Sequence, residues 1–122
     1  MNVVFRGIMF RLLMIALTMT LSSEVGFAEE DRHSANSVIE GCRFVANDQP
    51  SKGSITEGIC SGLISGLAYS DPMICIPPDV TNYQRARVVV QYIDQRPAKR
   101  HENLLKLVSE ALRLTWPCKA QQ

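Results

Sequence analysis

The amino-acid sequence has 122 residues and a nearly even charge, with 13 lysines and arginines against 12 aspartates and glutamates. So even a balance excludes a general electrostatic pull toward nucleic acid or an anionic membrane surface. The length suits a single domain, small enough to bury a limited share of its surface and to need covalent help.

The chain opens on a segment that reads as an export signal. Arg6 and Arg11 supply positive charge, and Leu12 to Leu21 form an apolar run broken only by Thr18 and Thr20. Gly26-Phe27-Ala28 then places small residues three positions and one position before a cut ahead of Glu29. Positive start, short apolar middle and small-x-small exit are the parts of a cleavable secretory signal. A spanning helix needs about 20 apolar residues, and Ser22, Ser23 and Glu24 interrupt this run well before that, so stable membrane insertion is not expected. A lipid anchor needs a cysteine at the cut, whereas the first cysteine is Cys42. The expected organisation is a signal peptide over 1–28, a flexible mature N-terminus over 29–36 and a helical domain over 37–122. Cleavage leaves 94 residues carrying 11 basic and 11 acidic side chains.

Four helices follow in the mature chain. Ser37 and Glu40 have capping-box spacing and open a short helix to about Ala46. Asn47, Asp48, Pro50 and Gly53 make a loop. Ser54 and Glu57 repeat the capping box and start a second helix to about Ser70, with Ile55, Ile59, Leu63 and Leu67 recurring every fourth residue beside Cys60, Ile64 and Ala68. Asp71-Pro72 ends it, and Pro77-Pro78 blocks a restart. Thr81 and Gln84 form a third capping box on a helix to about Gln95, whose expected buried stripe is Tyr83, Ala86, Val90 and Ile93. Pro97 is read as the first residue of a fourth helix, with Leu104, Leu105, Val108, Ala111 and Leu112 facing the core and Trp116-Pro117 stopping it. No stretch alternates with period two, so the fold class is all-α: a small four-helix, disulfide-stapled bundle.

Cys42, Cys60, Cys75 and Cys118 all survive cleavage. An even number of cysteines in a short exported chain reads as two disulfides, while the absence of a C-x-x-C pair and the placement of His33 and His101 argue against zinc. Helix hairpins favour Cys42–Cys60, on either side of the loop around residue 50, and Cys75–Cys118, before the third helix and after the fourth. The other two pairings remain open at this level.

Gly58, Gly62 and Gly66 line one face of the second helix, although glycine costs about 1 kcal/mol relative to alanine in a helix interior. Such a stripe lets another backbone approach closely, either inside the bundle or from a partner subunit. Gly58-Ile59-Cys60-Ser61-Gly62 superficially matches a nucleophile elbow, but that device needs a strand before the turn, and a disulfide-bonded cysteine is no nucleophile. His33 and His101 have no cysteine or serine to activate, the carboxylates form no obvious acid–base pair, and nothing points to a cofactor or metal. Arg96, Lys99 and Arg100 read as a solvated helix junction or, if functional, as a contact for an acidic protein surface. A binding protein is therefore favoured over an enzyme.

An ordered set of motifs is more specific. Cys60-x-Gly62-x-x-x-Gly66 is followed by Cys75-Ile76-Pro77, Val80-Thr81 and Gln84, then Val88-Val89-Val90-x-Tyr92-Ile93 and Pro97, and finally Ala111-Leu112 and Trp116-Pro117-Cys118. In order and spacing this resembles the type VI secretion amidase immunity (Tai) family over about residues 38–118. Leu63 departs from the aromatic, usually tyrosine, expected there. The resemblance implies a small helical periplasmic protein, commonly a homodimer, that binds a peptidoglycan amidase toxin and occludes its active-site cleft. The matching motifs do not designate the binding surface. The residues themselves suggest the loop Tyr69 to Ile74, with Tyr69, Asp71, Met73 and Ile74 as candidate contacts, since apolar and aromatic side chains on a pinned loop are common interface anchors; the alternative is that they cap the core. The rival functions are an acid-stress periplasmic chaperone, which needs carboxylates that destabilise a dimer on protonation, and a same-fold protein with an unrelated partner.

Overall fold

The computed structural model describes residues 33–119, so the signal segment and the cut after Ala28 lie outside the described residues. Four α-helices carry the fold: α1 Ala35–Ala46, α2 Ile55–Ser70, α3 Asn82–Asp94 and α4 Leu104–Thr115, with a 3-10 turn at Pro97–Lys99 between the last two. Extended pairing among the described residues is limited to isolated bridges joining Ser34 to Asn103 and Ile74 to Pro117. The protein is thus the all-α bundle its periodicity requires.

Local chemistry sets two of the helix starts. Ser54 Oγ accepts the Glu57 amide at 3.2 Å at the head of α2. Thr81 and Gln84 form a complete capping box on α3: the Thr81 amide donates to Gln84 Oε1 at 2.8 Å and the Gln84 amide to Thr81 Oγ1 at 3.3 Å. The other two starts differ from the sequence expectation, α1 for a tertiary reason and α4 because a different residue caps it. α1 begins at Ala35 rather than Ser37, because the Ala35 and Asn36 amides donate to the Glu102 and Arg100 carbonyls at 3.0 and 2.9 Å. Those acceptors satisfy orphan N–H groups of the first turn, and Ser34 and Ala35 are buried. Pro97 opens only the 3-10 turn; α4 starts at Leu104, where Asn103 Oδ1 accepts the Leu105 amide at 2.9 Å.

α1 packs against α2 and α3, and α3 against α4. Val38, Ile39 and Cys42 of α1, Cys60 and Ile64 of α2, Ala86, Val89 and Ile93 of α3, and Leu104, Leu107, Val108, Ala111 and Leu112 of α4 form one continuous core. Two stripe residues are corrected. Val89 is fully buried in place of Val90, and Leu107 in place of Leu105, which is exposed. Each residue turns a helix by about 100°, so Leu107 lies about 40° from Ala111 and forms one edge of the buried arc, while Leu105 lies just beyond Leu112 at the other edge. Ile55 is also exposed, and Tyr83 and Val90 are half-buried.

Both favoured disulfides form. Cys42–Cys60 joins α1 to α2 with 5.3 Å between Cα atoms, and Cys75–Cys118 joins the α2–α3 connection to the end of α4 with 4.8 Å. The glycines behave differently from the in-bundle packing reading. Gly58, Gly62 and Gly66 face open space, where a Cβ would meet nothing within 4 Å. The close approach lies at Gly41 of α1 instead, where a Cβ would collide with the Thr56 carbonyl group and lie 2.6 Å from the Glu57 amide nitrogen. Ridge and groove meet here without a side chain between them, beside the Cys42–Cys60 staple.

Candidate functional site

At the end of the bundle where α2 and α4 terminate, three large apolar side chains stand in solvent: Tyr69 is 90% exposed, Met73 58% and Leu114 66%. Apolar and aromatic side chains held in solvent on a small scaffold are suited to anchor an interface. The segment carrying Met73 is also unusually constrained. The Met73 amide donates to Asp71 Oδ1 at 2.9 Å, and the Met73 carbonyl accepts the Cys118 amide at 3.2 Å. The Ile74 amide closes a turn onto the Asp71 carbonyl at 3.1 Å, and the Cys75 amide reaches the Trp116 carbonyl at 2.8 Å, beside the Cys75–Cys118 bond.

Of the four residues expected in this loop, two point outward and two do not. Tyr69 and Met73 are surface groups, whereas the Asp71 side chain is only 5% exposed and Ile74 only 6%. Ile74 fills the core end, as an isoleucine beside a disulfide should. Asp71 Oδ2 accepts Arg113 Nε at 2.8 Å, Arg113 Nη2 at 2.7 Å and Ser109 Oγ at 3.3 Å, all from α4. The Met73 amide, then the Arg113 guanidinium, holds its carboxyl below the usual aspartate range against the opposing effect of burial. Leu114 was not among the expected contacts; its only sequence signal is a leucine lying off the Leu104–Val108–Ala111 stripe.

The basic cluster is occupied within the protein. Arg96 stacks 3.9 Å from the Tyr92 ring centroid, Lys99 pairs with Glu110 at 3.1 Å, and Arg100 pairs with Asp94 at 2.6 Å. Asp94 is also gripped by a two-pronged fork from Arg43, with Nη1 and Nη2 each at 2.7 Å, which links α1 to α3. These cations therefore brace the junction. Their pairing leaves little charge for an external acidic surface.

Other candidates for chemistry dissolve in the same way. Cys60 sits in mid-α2, inside a disulfide, so the G-x-C-x-G stretch presents no thiol. No cluster of His, Cys, Asp and Glu able to hold a metal occurs among the described residues. A shallow groove of about 450 Å3 beside the head of α2 is lined by Phe44, Asp48, Glu57 and Tyr83. Its buried carboxylate, Glu57, is already engaged by Ser51 Oγ at 2.9 Å, Ser54 Oγ at 3.0 Å and the Lys52 amide at 3.1 Å. Burial acts to raise the Glu57 carboxyl, but those hydrogen bonds prevail and hold it below the ordinary range. No described helix is long and apolar enough to cross a membrane.

What remains is a rigid, doubly stapled scaffold presenting an apolar end and, along α2, an uncovered glycine face. Neither the curated proteins nor the solved structures include a match to the chain. The family model described as Rap1a immunity proteins does match, over residues 34–118, a span that runs from the buried N-cap of α1 to the last cysteine of the second staple. The chain therefore belongs to the Rap1a family, a family of immunity proteins that protect against type VI secretion effectors.

Proposed function

We propose that the protein is exported to the periplasm and neutralises a peptidoglycan amidase effector by seating its Tyr69–Met73 end over the enzyme's active-site cleft. The amidase is the target implied by the Tai resemblance, and two disulfides suit an oxidising compartment. The observation that carries the reading is the exposure of Tyr69, Met73 and Leu114 on a segment held by a disulfide and hydrogen bonds. Binding loses less conformational entropy when the anchors are ordered beforehand; each flexible side chain otherwise costs about 0.5–1.5 kcal/mol to immobilise. The protein contributes no chemistry of its own in this scheme: it inhibits by shape.

The open face of Gly58, Gly62 and Gly66, with Ile55 exposed at its head, supports a homodimer built on α2. Tyr69 borders both surfaces. The acid-chaperone reading stands behind immunity, because the family whose model matches the chain is one of immunity proteins.

The test is calorimetric titration of the mature, oxidised protein into purified peptidoglycan amidase effectors, alongside peptidoglycan digestion. Stoichiometric binding that abolishes digestion, weakened by Tyr69→Ala and Met73→Ala, is the expected result. Tight inhibition untouched by both substitutions would move the interface elsewhere on the molecule.

A further inference from the structure

We propose that Asp71 is a positioning residue for partner binding: its buried carboxylate never meets the partner, but sets the pose of Met73 by coupling the Met73 amide to Ser109 and Arg113 of α4. This inference rests on the reading that the Met73 end docks on the effector.

The two carboxylate oxygens divide the task. Oδ1 accepts the amide of Met73, two residues on, in the short-range turn geometry that aspartate side chains favour. Oδ2 takes both the Nε and Nη2 of Arg113, at 2.8 and 2.7 Å, together with Ser109 Oγ at 3.3 Å. One oxygen thus fixes the loop and the other fixes the helix. Charge-assisted hydrogen bonds of this kind are stronger and more directional than neutral ones. The Arg113 side chain is half-exposed, but the acceptor it reaches is not.

The disulfide alone does not accomplish this. Cys75 lies two residues after Met73, and a staple there does not itself hold the Met73 N–H or fix ψ at Pro72. With Asp71 in place, the Met73 N–H is held by Asp71 Oδ1 and its C=O by the Cys118 amide. Both backbone polar groups are then committed, and only the side-chain torsions of Met73 remain to be ordered by the partner. Without the carboxylate, the Met73 N–H returns to water and the residue samples other directions before binding, which lowers the fraction of competent molecules.

The inference is tested on the mature, oxidised protein and the purified peptidoglycan amidase effector, by a double-mutant cycle of Asp71→Asn and Met73→Ala. Hydrogen exchange of the free protein is read in parallel. Asp71→Asn keeps an oxygen for Met73 but turns one side of the group into a donor that Arg113 cannot accept. The expected result is an affinity loss of about three- to tenfold, faster exchange at the Met73 amide with α1–α3 unchanged, and no further affinity loss when Met73 is already alanine. Arg113→Lys, which keeps the charge and loses the two-nitrogen contact, supplies the same cycle should Asp71→Asn fail to fold. An equal loss in the Met73→Ala background would show general destabilisation and overturn the positioning role. So would unchanged Met73 exchange in Asp71→Asn while Met73→Ala still weakens binding. Wild-type affinity in Met73→Ala while Tyr69→Ala weakens binding would overturn the positioning role alone, and wild-type affinity in both variants would overturn the docking reading itself.

Discussion

Gly41→Ala and Gly62→Ala add the same methyl group to two helices of one bundle and should move its stability in opposite directions. At Gly62 the new Cβ meets nothing within 4 Å. The substitution then gains the helix-propensity difference, about 1 kcal/mol. At Gly41 the Cβ would sit 2.6 Å from the Glu57 amide nitrogen and nearer still to the Thr56 carbonyl group. Comfortable carbon contacts lie at about 3.5–4.0 Å, so α1 and α2 must part by on the order of 1 Å. The obstructing atoms are backbone, and the neighbouring Cys42–Cys60 bond ties the two helices together. Overpacking costs about 1–3 kcal/mol, and a rigid backbone neighbour places this case at the upper end. After the propensity gain, a net loss of about 2 kcal/mol remains. For a domain of this size 1 kcal/mol moves Tm by about 4–8 °C. Thermal unfolding of the oxidised mature protein, followed by circular dichroism at low concentration, should show Gly62→Ala melting about 4–8 °C higher and Gly41→Ala about 8–16 °C lower. A Gly41→Ala protein as stable as wild type would refute the contact. A destabilised Gly62→Ala monomer would refute the open face. If that face pairs two copies, Gly62→Ala should also weaken the dimer by sedimentation while the monomer gains stability.

Leu107→Ala should cost about 2–5 kcal/mol in urea denaturation, as truncation of a fully buried leucine does, and Leu105→Ala less than about 0.5 kcal/mol; equal costs would contradict the assignment of the α4 stripe. Loss of the Cys75–Cys118 bond, with a separation of 43 residues, should destabilise by about 4 kcal/mol against about 3 kcal/mol for Cys42–Cys60, with a separation of 18. Paired serine variants compared by urea midpoint check that order, and the reverse order would show that native-state effects outweigh loop entropy. The Asp94 carboxyl is held below its ordinary range, chiefly by the hydrogen bonds from Arg43, with Arg100 adding to it. A depressed folded value means the stabilisation is present above the unfolded value near pH 4 and is lost as pH falls through the folded one. Tm should therefore stay level from neutral pH to about pH 5 and decline below about pH 4, and Asp94→Asn should lessen that decline. An acid limb identical in Asp94→Asn would assign the loss to Asp71, Glu110 and their neighbours instead.

The elements legible from sequence are those whose causes act within a few residues. Ser54 with Glu57 and Thr81 with Gln84 cap their own helices, and Asp71-Pro72 ends α2 whatever surrounds it. The staples were favoured for a related reason, since helix hairpins bring Cys42 level with Cys60 and Cys75 level with Cys118, but only the assembled bundle excludes the other two pairings. Where the chain offered a choice, the choice passed to the tertiary structure. Three consecutive valines, Val88 to Val90, satisfy any stripe, and packing against α1 and α4 selects Val89. α1 begins at Ala35 because carbonyls some 65 residues away accept its first amides. Among the glycines, periodicity drew attention to the three that face solvent, whereas the one that permits helix contact is the solitary Gly41, whose need is visible only against the backbone of Thr56 and Glu57. Asp71 shows the same limit at the proposed site. Sequence placed it in an exposed-looking loop, and only the approach of Ser109 and Arg113 turned it inward. Hydrophobic period and capping act through short separations along the chain. Burial and ion pairing depend on which distant groups arrive, and the assembled bundle sets that.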